Sequence, residues 1–191
     1  LVQLISSTRA CALACALGAT AVASADFGSL SWTLGQYGAD GVPGDFMPLG
    51  VTYDMLGPAG VGGTGSLTSQ QMQITGGNIG ERGITGYFAT ASFTGTVSVN
   101  WSFASDDDPQ YDAVGYVRNN QFLVVGNAGG TSGVMNFNVT AGETFGLAVM
   151  TSDGTFGAGT ATFTNFSYVP APGALALLGM AGFAGRRRRA R

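Results

Sequence analysis

Thr96-Val97-Ser98-Val99-Asn100-Trp101-Ser102-Phe103 decides the fold. Val97, Val99, Trp101 and Phe103 occupy every second position, and Thr96, Ser98, Asn100 and Ser102 fill the gaps. A period of two sends the two sets to opposite faces, so the run predicts a half-buried strand of an antiparallel sheet. The alternation recurs in both directions. Leu30, Trp32 and Leu34 alternate with Ser31 and Thr33, and Val51, Tyr53 and Met55 with Thr52 and Asp54. Met135, Phe137 and Val139 alternate with Asn136 and Asn138, and Phe145, Leu147 and Val149 repeat the pattern. Further strands are expected at Leu67–Ile74, Tyr87–Phe93, Ala113–Arg118, Phe122–Val125 and Ala161–Tyr168. Between them lie turn signals: Asn119-Asn120, whose amides tolerate positive φ, Ala141-Gly142-Glu143 and Ser152-Asp153-Gly154.

Roughly eight to ten short strands in about 140 residues predict an all-β fold, an antiparallel two-sheet β-sandwich of jelly-roll type over residues 26–168. The 32 glycines fit many turns and little helix.

Chemistry is sparse. The chain has no histidine and no lysine, and both cysteines, Cys11 and Cys15, precede the strands. The middle of the chain therefore excludes Ser-His-Asp and Cys-His catalysis, Schiff-base chemistry, Cys/His zinc sites and disulfides. Two arginines, Arg82 and Arg118, stand there against all eleven acidic residues, a net of −9. Such a surface repels nucleic acid and anionic lipid. A glycosidase needs only two carboxylates, but nothing in the pattern selects a pair, and the reading is of a protein that is not an enzyme.

Both ends carry addressing signals. Residues 1–25 read as a signal peptide: Arg9 is the single charge, Ala10–Val22 is apolar, and Ala23-Ser24-Ala25 offers small residues to signal peptidase, leaving Asp26 first. The apolar stretch is short of the roughly 20 residues a membrane anchor needs. At the other end stand Val169-Pro170-Ala171-Pro172-Gly173, then Ala174–Gly185 without a charge, then Arg186, Arg187, Arg188 and Arg189. Prolines keep a segment extended for an enzyme to grip, the apolar stretch is expected as a short membrane helix, and the arginines stay on the cytoplasmic side.

This tail, residues 169–191, resembles the PEP-CTERM sorting signal, with alanine in place of the glutamate. The resemblance implies processing by an exosortase, transient anchoring in the membrane, and delivery to the cell envelope, the cell surface or the medium. A second likeness runs from Gly95 to Ser167 through Trp101, Asp106, Pro109, Tyr111-Asp112, Gly115-Tyr116, Ala141-Gly142-Glu143-Thr144-Phe145-Gly146 and Asn165. It is similar to a small β-sandwich module of secreted bacterial proteins, which implies the fold and no activity.

One stretch remains with ligand chemistry: Asp106, Asp107, Asp108 and Asp112 fall within seven residues between two strands. Calcium takes six to eight oxygens, and clustered aspartates supply several, so calcium is the candidate metal; an acidic turn with Asp capping backbone amides is the competing reading. Gly60-Val61-Gly62-Gly63-Thr64-Gly65 matches a dinucleotide fingerprint in form only, because a strand follows it where a helix is required, and it reads as a loop. Trp32 and Trp101 fall on apolar strand faces and are expected in the core. Two functions fit: a non-catalytic envelope or extracellular-matrix protein, and a carbohydrate-binding module that ties the cell to exopolysaccharide. An exposed aromatic strip favours the second.

Overall fold

The computed structural model describes residues 26–108 and 110–171, so the leader and the tail from Pro172 onward lie outside the described residues. After a single 3-10 turn at Phe27–Ser29 come eleven strands: β1 Thr33–Ala39, β2 Thr52–Pro58, β3 Thr64–Leu67, β4 Gln71–Thr75, β5 Gly83–Thr90, β6 Gly95–Ala104, β7 Asp112–Arg118, β8 Gln121–Gly126, β9 Thr131–Val139, β10 Thr144–Thr151 and β11 Thr160–Pro170. They form two antiparallel sheets, as the alternation predicts. One is five-stranded, in the order β3-β4-β11-β6-β9. The other, β1-β2-β8-β7-β10-β5, curls round until β1 pairs with both β2 and β5, and closes.

The closure adds a second core to the sandwich. Between the two sheets lies the main core, built from Val97, Val99, Trp101 and Phe103 of β6, Phe163 and Tyr168 of β11, Met135 and Phe137 of β9, and Phe145, Leu147 and Val149 of β10. A second core fills the barrel, with Ile84, Phe88, Phe122, Ala148 and Met150. Strands β5 and β10 are thus buried on both faces. Small residues make this possible. A Cβ on Gly146 would lie 2.6 Å from the Phe88 ring, and one on Gly86 would lie 2.8 Å from the Ala148 methyl. Glycine is what lets a phenylalanine enter so narrow a barrel.

Strand boundaries also differ from the sequence expectation, and the strand expected at Tyr87–Phe93 runs instead as Gly83–Thr90. Leu67–Ile74 is a tight hairpin, with Thr68-Ser69-Gln70 turning between β3 and β4, where Thr68 N–H donates to the Gln71 carbonyl at 2.8 Å. Leu30 and Trp32 precede β1. Trp32 instead packs edge-on against Phe145 and Phe166 and donates Nε1–H to the Phe27 carbonyl at 3.0 Å. Finally β11 continues through Val169 and Pro170, paired with Thr96 and Gly95, and Ala171 N–H donates to the Thr94 carbonyl. Pro170 lies past the stretch of β11 that β4 pairs, so its missing N–H costs nothing there.

The glycine loop at 60–65 is pinned: Val61 is buried, and the Gln36 side chain accepts from Gly62 N–H and donates to the Gly63 carbonyl. Asn119 and Asn120, at φ +50° and +60°, make the two-residue turn that their amides predicted.

Candidate functional site

Three loops meet at one end of the sheets: the one after β1, the one after β6 that carries the aspartates, and the one after β10. Their meeting is enforced from below by Arg82 and Ser152. Arg82 is only 6% exposed. Its Nε–H donates to the Asp40 carbonyl at 2.7 Å, and its Nη1 donates to the Val42 carbonyl at 2.8 Å and to Ser152 Oγ at 3.0 Å. The guanidinium also lies 4.9 Å over the Tyr53 ring. Ser152 donates Oγ–H to the Asp45 carbonyl at 2.6 Å, and its backbone joins Tyr111 and Gly44. Met47 N–H donates to the Gln110 carbonyl, and Asn127 holds the Met47 carbonyl at 2.8 Å. A rigid fork with five donors suits a position where several carbonyls converge.

Above this lattice the loops enclose a hollow of about 480 Å³ lined by Gly44, Asp106, Asp107, Asp108, Tyr111, Asp153 and Phe156. Phe156 is 84% exposed and holds φ +63°, a backbone state that is costly for a bulky residue. Phe46, 56% exposed, leans on Tyr111 with ring centroids 5.3 Å apart. Gln110, in the acidic loop itself, has φ +96°. An exposed, strained aromatic beside carboxylates is the kind of feature that gathers at binding sites.

The aspartates separate into two kinds. Asp106, Asp107 and Asp108 line the hollow, joined by Asp153 from the third loop. Asp112 does not. Its side chain, 3% exposed, turns inward, accepts Ser105 Oγ–H at 2.8 Å and is bonded by the Gly159 amide. Burial pushes its carboxyl up to about 6 despite the Ser105 bond. Asp107 is also raised, first by burial and then, against the Asp108 amide it accepts, by the charges of Asp153 and Asp108. Its Oδ2 is buried and unpartnered. Among the described residues no three acidic side chains stand in an arrangement that could hold a metal ion. The oxygens suit calcium in kind, and backbone carbonyls and water would have to complete the shell.

Asp153, Phe156, Phe46 and Arg82 lay outside the sequence prediction. The burial of Asp112 was legible, since it sits in phase with Val114 and Tyr116, which face the main core. Trp101 is buried, as expected, and Tyr87 with it. Among the described residues the exposed aromatics are the loop phenylalanines Phe46 and Phe156, in place of a strip along a sheet. Ala23 and Ala25 of the leader, and Pro172, Gly173 and Arg186–Arg189 of the tail, lie outside the described residues. No protein-family model matches the chain, and the curated proteins contain no similar sequence.

Proposed function

We propose that the chain is an exported, non-catalytic protein of the cell envelope or extracellular matrix, and that its folded domain binds exopolysaccharide in the three-loop hollow. The observation that carries the binding is Phe156, an aromatic ring held out into water by a strained backbone at the rim of a carboxylate-lined hollow. Sugar rings offer C–H faces to aromatic rings and hydroxyl donors to carboxylates, so Phe156, Phe46 and Tyr111 supply stacking surface while Asp106, Asp108 and Asp153 accept hydrogen bonds. The order of β4–β11, four strands 4-11-6-9 against four strands 5-10-7-8, is that of a jelly roll, an architecture used by lectin domains. That architecture is compatible with the reading and supplies no site of its own.

Co-sedimentation with isolated exopolysaccharide tests this reading. Phe156→Ala and Phe46→Ala are expected to lose binding with unchanged folding, because both rings are exposed. Retention of full affinity by the double variant overturns the assignment.

Sorting rests on the ends of the sequence. Phe27, next after Asp26, is already in the core with its N–H on the Ser69 carbonyl, so cleavage after Ala25 leaves the domain whole. Ala171 is bonded to the sheet, so processing beyond it spares β11. Signal peptidase and an exosortase are the processing partners. Intact-mass measurement of the protein from its host is expected to show Asp26 first and the arginines gone; a mature form that keeps Arg186–Arg189 overturns the sorting reading.

A second reading places calcium in the hollow, and the buried, unpartnered Asp107 Oδ2 favours it. A cation held only by the folded state at a hundredfold excess over its Kd stabilises by about 2.7 kcal/mol. Melting is then expected to rise by several degrees with calcium, less with magnesium, and not at all in Asp107→Asn/Asp153→Asn. Equal effects of the two ions reduce the loop to an acidic turn.

A further inference from the structure

The two sheets end differently. The barrel sheet closes on itself and has no edge. The five-stranded sheet has two: β3, four residues long, and β9, nine residues long. Strand β9, Thr131-Ser132-Gly133-Val134-Met135-Asn136-Phe137-Asn138-Val139, pairs with β6 without a register break from Gly95↔Val139 to Phe103↔Thr131. Among the described residues, none of Ser132–Val139 makes a backbone hydrogen bond outside that ladder. On an antiparallel edge alternate residues turn both N–H and C=O outward, so β9 offers a row of unpaired donors and acceptors.

Exposed edges are ordinarily blunted by lysine, proline, a bulge or shortness. Strand β9 has none of these. The neutrality extends further, because β3, β4, β6, β9 and β11 carry no charged residue at all, in a domain of net charge −9. The outward residues of β9 are Ser132, Val134, Asn136 and Asn138, and Val134 is 57% exposed.

We propose that β9 pairs antiparallel with β9 of a second copy of this chain, joining two five-stranded sheets across a two-fold axis at Met135. The charge distribution selects a second copy: two domains of like net charge approach closely only along a neutral surface, and β9 is the long edge of that surface. The pattern fits as well. About Met135 the strand is self-complementary, with Ser132 opposite Asn138, Val134 opposite Asn136, and Gly133 opposite Phe137 of the other copy. Every pair matches outward residues with outward and core-facing with core-facing, as a continuous sheet requires.

Sedimentation equilibrium of the full chain tests the proposal. A dimer is expected, stronger at moderate than at low salt as the net charges are screened. Val134→Lys and Asn136→Asp each set like charges close across the axis and are expected to weaken the dimer by about tenfold or more. The double variant sets the introduced lysine opposite the introduced aspartate of the other copy, twice, and is expected to recover most of the loss. Unchanged melting of each variant separates this from misfolding. A monomer at all concentrations, a dimer indifferent to Val134→Lys, or a double variant no better than either single one overturns the pairing.

Discussion

Strand β7 joins two ends of the molecule that are built on opposite electrostatic plans. At its first residue Asp112 is sealed in the core beside the three-loop hollow, its carboxyl held up by burial. At its last residue Arg118 meets Glu143 in a two-bond ion pair, Nε to Oε1 at 2.8 Å and Nη2 to Oε2 at 3.2 Å. That pair holds the Glu143 carboxyl below its usual range, with the Thr140 amide assisting. One end pairs its charge; the other collects carboxylates around a hollow and supports them with an arginine that touches none. Arrangements that merely stabilise look like the Arg118 end. The Asp112 end concentrates cost, which favours it as the place of the proposed binding site.

The hardest blow to that end is Arg82→Ala. The substitution removes the bonds to the part-buried carbonyls of Asp40 and Val42 and the buried bond to Ser152 Oγ, leaving Val42 its Asp45 amide, and it removes the ring contact with Tyr53. Hydrogen bonds from charged groups contribute about 1.5–3 kcal/mol each before the cost of orphaned partners, so a loss on the order of 4 kcal/mol is expected. Urea unfolding measures it. Arg82→Lys should recover only part, since an ammonium cannot span both carbonyls in the plane of the fork. The proposed exopolysaccharide binding should fall with stability in both variants.

Arg82 also marks where sequence reading stops. In the chain it is one basic residue beside Glu81 and yields only a net charge; its importance comes from carbonyls 40 residues away in sequence. The alternation on β6 and β9 and the Asn119-Asn120 turn were legible because their causes are local: side-chain period and tolerance of positive φ. Closure of the barrel was hidden because strands buried on both faces lose their alternation, as Gly83-Ile84-Thr85-Gly86-Tyr87-Phe88-Ala89 does. The hollow was half legible. Its aspartates from one loop were visible as a cluster, but Asp153 and Phe156 arrive only through the pairing of β10 with β7 and β5.

The second test removes the buried charge. Asp112 titrates near 3.8 when unfolded and about 6 when folded. The folded state therefore binds the extra proton, and the stabilisation is complete below pH 3.8 and lost as pH rises through about 6. Above that the buried carboxylate is a liability of about two pKa units, on the order of 3 kcal/mol. Asp112→Asn keeps the shape without the charge. It should gain about 2 kcal/mol at pH 8 and nothing at pH 4. A variant equally destabilised at both values would mean that the Ser105 and Gly159 bonds outweigh the desolvation.

A smaller effect tests whether the strain at the hollow is real. Phe156→Gly removes a bulky side chain from φ +63°, where glycine is at ease, and an exposed ring sacrifices little packing. The domain should melt higher by the equivalent of about 1 kcal/mol while the proposed exopolysaccharide binding is lost. Stability and binding would then move in opposite directions at this one residue.

The smallest change is expected at the other end of β7, and its sign is the informative part. Glu143 has its carboxyl lowered, so its contribution is present above the ordinary value of 4.5 and disappears as pH falls, the reverse of Asp112. Glu143→Gln keeps an acceptor for the Thr140 amide and removes the charge facing Arg118. Arg118 is partly open to solvent, and such pairs contribute about 0.2–1 kcal/mol, so the loss at pH 7 should be about half a kcal/mol and shrink as acid protonates the carboxyl. Combining it with Asp112→Asn gives the sharpest measurement. The two sites lie at opposite ends of a seven-residue strand with no shared partner, so their effects should add. The double variant should then lose most of the pH dependence that these two carboxylates impose, one slope cancelled from each end. A double variant with a steep residual slope above the ordinary carboxylate range would place the remaining titration in Asp107, the other carboxyl raised by burial, and would move attention from the strand to the lining of the hollow.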